Sequence, residues 1–94
     1  MNLENIIKQK NTTIIDVRTP EEFKNGNAKG SINIPMQEIP KRLDEIKKLN
    51  QPLVLCCASG GRSGQVHSYL LQQNIECYNG GSWMDVVNYK LKTI

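Results

Sequence analysis

The sequence predicts an α/β domain with a mostly parallel sheet and helices on both of its faces. Short apolar runs rich in β-branched residues alternate with segments of helical periodicity along the chain. Strands separated by helices pair in parallel, because each crossover brings the chain back in the same direction. The length of 94 residues fits one domain and leaves no room for a second.

A short helix and a buried strand are predicted at the start of the chain. Residues 2–9 carry apolar side chains at helical spacing, and residues 13–17 form an apolar, β-branched run. The apolar positions of this helix are Leu3, Ile6 and Ile7. The polar pair at residues 11–12 separates the two elements.

The second helix begins with a capping signal. Thr19 suits the N-cap, Pro20 suits the first helical position, and Glu22 completes a capping box. Asn25 and Gly26 are typical of a helix end, so this helix is brief.

The middle of the chain predicts a second strand and a third helix. Residues 30–35 form the strand, which Pro35 closes. Pro40 is tolerated in the first turn of the helix that follows. The apolar face of that helix consists of Ile39, Leu43, Ile46 and Leu49.

The last third of the chain contains two strands and two helices. Residues 53–57 read as a buried strand, and a helix follows with an apolar face of Val66, Tyr69, Leu70 and Gln73. Asn74 caps that helix, residues 75–78 form a strand, and residues 80–81 form a turn. Ser82 and Asp85 cap a final helix whose inward residues are Val86, Val87 and Leu91.

Composition excludes several functional classes. Three cysteines fit free thiols better than a disulfide framework, and their spacing with a single histidine matches no zinc site. The net charge of +3 is mild, and the basic cluster at residues 41–48 reads as a solvated helix face. We therefore expect no nucleic-acid partner, no membrane partner and a monomer. The N-terminus lacks the pattern of a secretory signal, which predicts a cytoplasmic protein, or a periplasmic one if a signal was trimmed.

The loop between the third strand and the fourth helix has the features of an anion site. Ligands bind at the carboxyl ends of strands in open α/β sheets, and the first N–H groups of a helix lack intrahelical partners. Gly60 and Gly61 let successive N–H groups turn toward one centre, and Arg62 adds a cation. In this setting Cys57 should have a lowered pKa and act as a nucleophile.

Four motifs resemble those of the rhodanese-like sulfurtransferases. The loop CASGGRS at residues 57–63 is similar to the family pattern C-x-x-G-x-R-S. DVRTPEEF at 16–23 and GSINIP at 30–35 resemble its N-terminal signatures, and NGG at 79–81 resembles its late glycine pair. The resemblance implies a single rhodanese-like domain over residues 1–94, doubly wound, with a sheet of four or five strands.

The resemblance also implies a reaction. Cys57 would take a sulfane sulfur from a donor, thiosulfate or a persulfide, and pass it as a persulfide to cyanide, a small thiol or a protein thiol. No cofactor and no metal is implied. The substrate-binding residues would be the rest of the loop, namely Ala58, Ser59, Gly60, Gly61, Arg62 and Ser63.

Other polar residues are assigned supporting roles. Arg62 would stabilise the thiolate and bind the anionic end of the donor, although pairing with a surface carboxylate is an alternative. Asp16 and Arg18 read as structural residues near the site, Asp16 accepting hydrogen bonds and Arg18 pairing with Glu22. We expect His67 to be solvated, Cys77 to lie in the core, and Trp83 to serve packing or the pocket rim.

Two other functions stay open. Cys56 with Arg62 and Ser63 also satisfies the C-x5-R-[ST] signature of cysteine phosphatases, which would make the chain a phosphatase or an arsenate reductase. In the rhodanese-like family, however, a six-residue loop is associated with sulfane sulfur and a longer one with phosphate or arsenate. In that register Cys56 would point into the core. The remaining alternative is a non-catalytic binding or redox-sensing module.

Overall fold

Four parallel strands form the centre of the fold. In the computed structural model, which describes residues 2–91, they are β1 (Thr13–Asp16), β2 (Ile32–Asn33), β3 (Leu53–Cys57) and β4 (Cys77–Ser82). Their order in the sheet is β2-β1-β3-β4, and every neighbouring pair is parallel. The predicted α/β class with a parallel sheet is confirmed, with four strands.

Five helices connect the strands and cover the sheet. They are α1 (Leu3–Lys8), α2 (Pro20–Lys24), α3 (Leu43–Lys47), α4 (Gly61–Gln72) and α5 (Trp83–Leu91). Two 3₁₀ turns, Met36–Glu38 and Pro40–Arg42, precede α3.

The two faces of the sheet carry separate hydrophobic clusters. Along β3, Leu53, Leu55 and Cys57 face the cluster that includes α3 and α4, while Val54 and Cys56 face the cluster that includes α1 and α5. This division follows from the alternation of side chains along a strand. It places the two neighbouring cysteines on opposite faces of the sheet.

The capping signals appear in the structure as predicted. Thr19 and Glu22 form the reciprocal bonds of a capping box at α2. At the start of α5, the N–H of Asp85 donates to the Ser82 hydroxyl (3.0 Å), and the N–H of Ser82 donates to the Asp85 carboxylate (3.2 Å). Asn74 adopts a left-handed conformation (φ 62°) just after α4 and thereby ends that helix.

Three predicted elements have different bounds in the structure. The second strand has two residues instead of six, and the third helix is divided into the two 3₁₀ turns and α3. Pro40 lacks the N–H that an unbroken α-helix would use there. The expected inner face is nevertheless correct, with Ile39 and Ile46 buried and Leu43 and Leu49 packed against them.

The last strand begins and ends later than predicted. After Asn74 the N–H of Ile75 still donates to Leu70 of α4 (2.9 Å), so the chain joins the sheet only at Cys77. The expected turn at residues 80–81 lies inside β4, next to a register shift against β3. Leu91, expected to face inward, is 72% exposed.

Gly80 is predicted to be intolerant of a side chain. A Cβ at this position would lie 2.8 Å from Val54 Cγ1 and 3.1 Å from the Leu55 carbonyl oxygen. We expect Gly80→Ala to lower the free energy of unfolding by about 1–3 kcal/mol, because the neighbours belong to the central strand and cannot yield freely. Urea unfolding followed by circular dichroism measures this.

Gly61→Ala is the matched control. Nothing lies within 4 Å of a Cβ built at Gly61, the first residue of α4. We expect its stability to be unchanged or raised, since alanine favours the helix over glycine. Equal losses in both variants would contradict the packing argument.

Candidate active site

The loop after β3 is a tight connection of three residues. Ala58, Ser59 and Gly60 join the end of β3 to the start of α4. Gly60 has φ 98°, a left-handed conformation that lets the chain reverse and begin the helix at once. Ala58 and Ser59 are exposed, whereas Cys57 beneath them has no exposed surface.

Several donors of the loop converge on the sulfur of Cys57. The N–H of Gly60 lies 3.0 Å from Cys57 Sγ, and both the N–H and the hydroxyl of Ser63 lie 3.4 Å from it. Burial alone would raise the pKa of Cys57. The Ser63 hydroxyl and the N–H groups of Ser63, Ser59 and Gly60 stabilise the thiolate and lower the pKa to about 7. A substantial fraction of Cys57 is therefore thiolate at neutral pH.

The predicted ring of amides differs in one member. Gly60 and Gly61 were expected to turn their N–H groups toward one centre; Gly60 donates to Cys57 Sγ, and the Ser59 N–H also lowers the pKa of Cys57. Gly61 begins α4, and the third N–H comes from Ser63. Ser63 is completely buried, so its position under the loop is fixed by packing.

Asn79 on β4 fastens this loop, a role that the sequence reasoning missed. Its Nδ2 donates to the Gly60 carbonyl (3.3 Å), and its Oδ1 accepts from the Ser63 hydroxyl (2.8 Å) and the Gly81 N–H (3.0 Å). The single hydroxyl proton of Ser63 can therefore be donated to Asn79 or to Cys57, but not to both at once. The available signal was the place of Asn79 directly before the glycine pair of the NGG motif.

The other two cysteines are in environments that suppress reactivity. Burial, together with the nearby Asp16 carboxylate, raises the pKa of Cys56 to about 12. Burial likewise raises the pKa of Cys77 to about 11. Cys77 lies in the core as predicted. Cys56 also points into the core on the far side of the sheet from α4, so the phosphatase register starting at Cys56 has a thiol that is neither ionised at neutral pH nor directed toward the loop.

Arg62 is bound by Glu22 of α2. Its Nη1 lies 2.7 Å from Glu22 Oε1, and its Nη2 lies 3.0 Å from Oε2. The guanidinium, with further help from the capping bonds of Thr19, lowers the pKa of Glu22 to about 2. The ion pair raises the pKa of Arg62, and the Cys57 thiolate acts on it in the same direction. The pairing with a carboxylate, given above as the alternative for Arg62, is what the structure shows.

The expected pair between Arg18 and Glu22 is wrong. Arg18 instead donates to its near neighbour Asp16, with Nη2 2.7 Å from Oδ2, and to the Gly26 carbonyl (2.6 Å). Its guanidinium also stacks on Trp83, 4.9 Å from the ring centroid. Asp16 and Arg18 are 0% and 4% exposed, so this is a buried ion pair, and its bond to Gly26 joins the end of β1 to the segment after α2.

His67 is not solvated as expected. Its Nε2 lies 3.2 Å from the carbonyl oxygen of Cys77, and the side chain is partly buried between α4 and β4. It therefore packs against the sheet. Trp83, also partly buried, serves packing between Gly26 and Arg18.

Residues 2–91 contain neither a candidate metal site nor a helix that could span a membrane. This range contains no group of three or more His, Cys, Asp or Glu side chains placed to hold a metal ion. Within the same residues, no helix has both the length and the apolarity that crossing a bilayer requires.

Comparison with known proteins adds a family to this geometry. A family model described as a rhodanese-like domain matches residues 2–89. A sulfurtransferase from Allochromatium vinosum is 42% identical over 60 residues, which is 64% of this chain and 55% of that protein. The chain thus spans little more than half the length of that relative.

Two further similarities extend over more of both molecules. The thiosulfate sulfurtransferase PspE of Escherichia coli is 31% identical over 80 residues, covering 83% of this chain and 77% of that protein. The crystal structure of a rhodanese-like domain protein from Staphylococcus aureus superposes with a TM-score of 0.76 at 35% identity, covering 90% and 83% of the two chains.

The hydroxyl of Ser63 is expected to lower the pKa of Cys57 measurably. A hydrogen bond to a charged group contributes about 1.5–3 kcal/mol, and one pH unit corresponds to about 1.4 kcal/mol. Ser63→Ala removes a donor that stabilises the thiolate, so we expect the pKa to rise by about one pH unit. The pH dependence of Cys57 alkylation by iodoacetamide, followed by peptide mass spectrometry, measures it.

Ser68→Ala is the control for that experiment, because Ser68 is exposed on the same helix. Its alkylation profile should match that of the wild type. An unchanged profile in Ser63→Ala would show that the backbone N–H groups alone set the pKa.

Arg18→Met is expected to lower the free energy of unfolding by about 3–5 kcal/mol, because it leaves the Asp16 carboxylate buried without its partner. Arg42→Met is the comparison, since Arg42 also binds two carboxylates, Glu38 and Glu45, but at the surface. Urea midpoints measure both. A loss for Arg18→Met no larger than that for Arg42→Met would contradict the structural role of the buried pair.

Proposed function

This chain belongs to the rhodanese-like domain family, and from that membership we propose that it is a sulfurtransferase acting through a persulfide on Cys57. The observation that carries the proposal is the convergence of donors on Cys57 Sγ. A thiol with a pKa of about 7, placed under backbone N–H groups at a helix start, is suited to nucleophilic attack on sulfur.

The first half of the proposed reaction loads the cysteine. The Cys57 thiolate attacks the outer, sulfane sulfur of thiosulfate and forms a new S–S bond. The original S–S bond breaks, and sulfite leaves with its electron pair. Cys57 then carries a terminal sulfur with one negative charge, so charge and atoms balance without an oxidant or reductant.

The second half of the proposed reaction removes the sulfur from Cys57. A thiophilic acceptor attacks the terminal sulfur, and the Cys57 thiolate departs as the leaving group. With cyanide the product is thiocyanate; with a small thiol or a protein thiol it is a new persulfide. The scheme is ping-pong, because one substrate leaves before the other reacts.

The loop supports both halves by holding negative charge at one place. The N–H groups of Gly60 and Ser63 already face the Cys57 sulfur, so no donor has to reorient as charge moves along the S–S bond. The terminal sulfur of the persulfide would extend toward the exposed tip formed by Ala58 and Ser59. In this proposal the remaining loop residues, Gly61, Arg62 and Ser63, complete the substrate site.

The proposal is tested by intact mass spectrometry after incubation with thiosulfate. We expect a gain of one sulfur, about 32 Da, that disappears when cyanide is added, since a persulfide is open to attack by thiophiles. Cys57→Ser should show no gain.

Cys56→Ser is the matched control, because it alters the adjacent thiol on the opposite face of the sheet. It should retain the full mass gain. A wild-type protein that alkylates at Cys57 but never gains sulfur would contradict sulfur transfer and favour the redox-sensing module.

A further inference from the structure

Glu22 holds the loop arginine by both carboxylate oxygens. The two bonds, 2.7 and 3.0 Å long, join residues 40 positions apart in the chain, so the pair forms only when α2 packs beside the loop. Both side chains are about one-third exposed, which places the pair at the surface beside Cys57 and not in the core. The pair is therefore in contact with solvent.

The pair has a direct electrostatic effect on the loop. Arg62 directly precedes Ser63, whose N–H and hydroxyl face Cys57 Sγ, so its charge belongs to the same loop as the thiolate, and the thiolate raises its pKa. Glu22 places an opposite charge against that guanidinium and occupies two of its N–H donors. A free guanidinium would attract an anionic donor and could bind it with a fork of hydrogen bonds. In this structure the Glu22 carboxylate opposes that charge and takes up the fork formed by Nη1 and Nη2, which leaves the Nε side of the guanidinium outside the pair.

The other guanidinium near the loop provides no substitute. Arg18 is held by the Asp16 carboxylate and the Gly26 carbonyl, and it lies under Trp83. Each of these two arginines is therefore matched by one carboxylate.

We infer that Glu22 is a specificity-determining residue of the Cys57 site, which by engaging Arg62 disfavours dianionic sulfur donors and favours alkyl persulfides. This inference rests on the proposed sulfur transfer and names its donor class. Thiosulfate carries two negative charges into the loop, whereas the transferable sulfur of an alkyl persulfide carries at most one. The attraction that is lost when Glu22 neutralises Arg62 is therefore larger for thiosulfate than for an alkyl persulfide.

Glu22→Gln separates this role from the structural role of the residue. The Thr19 N–H donates to Glu22 Oε1 (3.0 Å), and a glutamine oxygen can accept the same capping bond. The glutamine amide nitrogen cannot accept from Arg62, and the negative charge is gone. The glutamine oxygen that caps α2 can still accept one bond from Arg62 Nη1, so the substitution keeps the start of α2 but removes the second bond and leaves the charge of Arg62 unopposed.

Glu45→Gln is the matched control elsewhere on the surface. Glu45 binds Arg42 by both oxygens, at 3.0 and 2.7 Å. Its substitution by glutamine removes one negative charge, as Glu22→Gln does. Glu45 lies on α3, outside the contacts that build the Cys57 site. Any effect of net charge alone would appear equally in both variants.

The first measurement compares two alkylating reagents of similar size that differ in charge, iodoacetate and iodoacetamide. The ratio of the iodoacetate rate to the iodoacetamide rate at Cys57, read from peptide masses, reports whether the site attracts or repels an anion. This measurement does not require sulfur transfer. We expect Glu22→Gln to raise the ratio roughly fivefold, as expected for one charge removed at close range. Glu45→Gln should leave it unchanged, and Glu22→Asp, which keeps the charge, should stay near the wild type.

A double variant assigns the effect to Arg62. When Arg62→Met is combined with Glu22→Gln, the gain in the ratio should disappear, because no guanidinium charge remains to be left unopposed. A gain that persists without Arg62 would overturn the inference. An unchanged ratio in Glu22→Gln, or an equal rise in Glu45→Gln, would overturn it as well.

The second measurement uses thiosulfate as the donor and cyanide as the acceptor. Glu22→Gln should lower KM for thiosulfate several-fold with kcat nearly unchanged, the pattern of improved binding without altered chemistry. A KM equal to that of the wild type would overturn the assignment of donor class. A wild-type protein that transfers no sulfur would overturn the proposed function, while the alkylation ratio would still decide whether Glu22 controls the charge of the site.

Discussion

The enclosure of the Cys57 sulfur by N–H groups is the constraint on which the rest of the structure depends. The chain must turn from strand to helix within three residues, and it does so through the left-handed Gly60. A side chain on Gly60 would also lie 3.4 Å from the Cα of Gly81 on the neighbouring strand. Gly60 of the loop therefore lies against Gly81 of β4, and Asn79 joins them by bonding to both. The glycine pair late in the chain is part of the same construction as the loop.

Local signals made much of the fold predictable. Thr19 and Ser82 could be recognised as helix starts, because a capping box involves residues only three positions apart. The buried strand β3 and the placement of Cys56 and Cys57 on opposite faces followed from a short apolar run and a period of two. These features need no knowledge of distant neighbours.

The missed features depend on distant partners. The choice between Arg18 and Arg62 as the partner of Glu22 is decided by how α2 packs against the loop, which spacing along the chain does not reveal. Arg18 was within reach of Glu22 along the chain but is drawn away by the buried Asp16 and the ring of Trp83. In the same way, Asn79 gained its role only through the pairing of β4 with β3, and His67 through its contact with the Cys77 carbonyl.

The two ion pairs near the site are alike in charge but differ in setting. Asp16 and Arg18 are buried, and one additional bond to the Gly26 carbonyl satisfies the arginine where water cannot. Glu22 and Arg62 are partly exposed, so water can replace either partner at modest cost. The buried pair is therefore suited to fixing the segment around Gly26, and the exposed pair is suited to setting the charge at the Cys57 site.

The ends of the sheet have a consequence for association with other chains. β2, at one edge, has only two residues, and β4, at the other, carries a glycine pair and a register shift. Short, irregular edges offer few consecutive N–H and C=O groups to a foreign strand. The sheet is thus poorly suited to growth by addition of strands. The irregular β4 edge, which contains Gly80 and Gly81, thus also disfavours edge-to-edge aggregation of the domain.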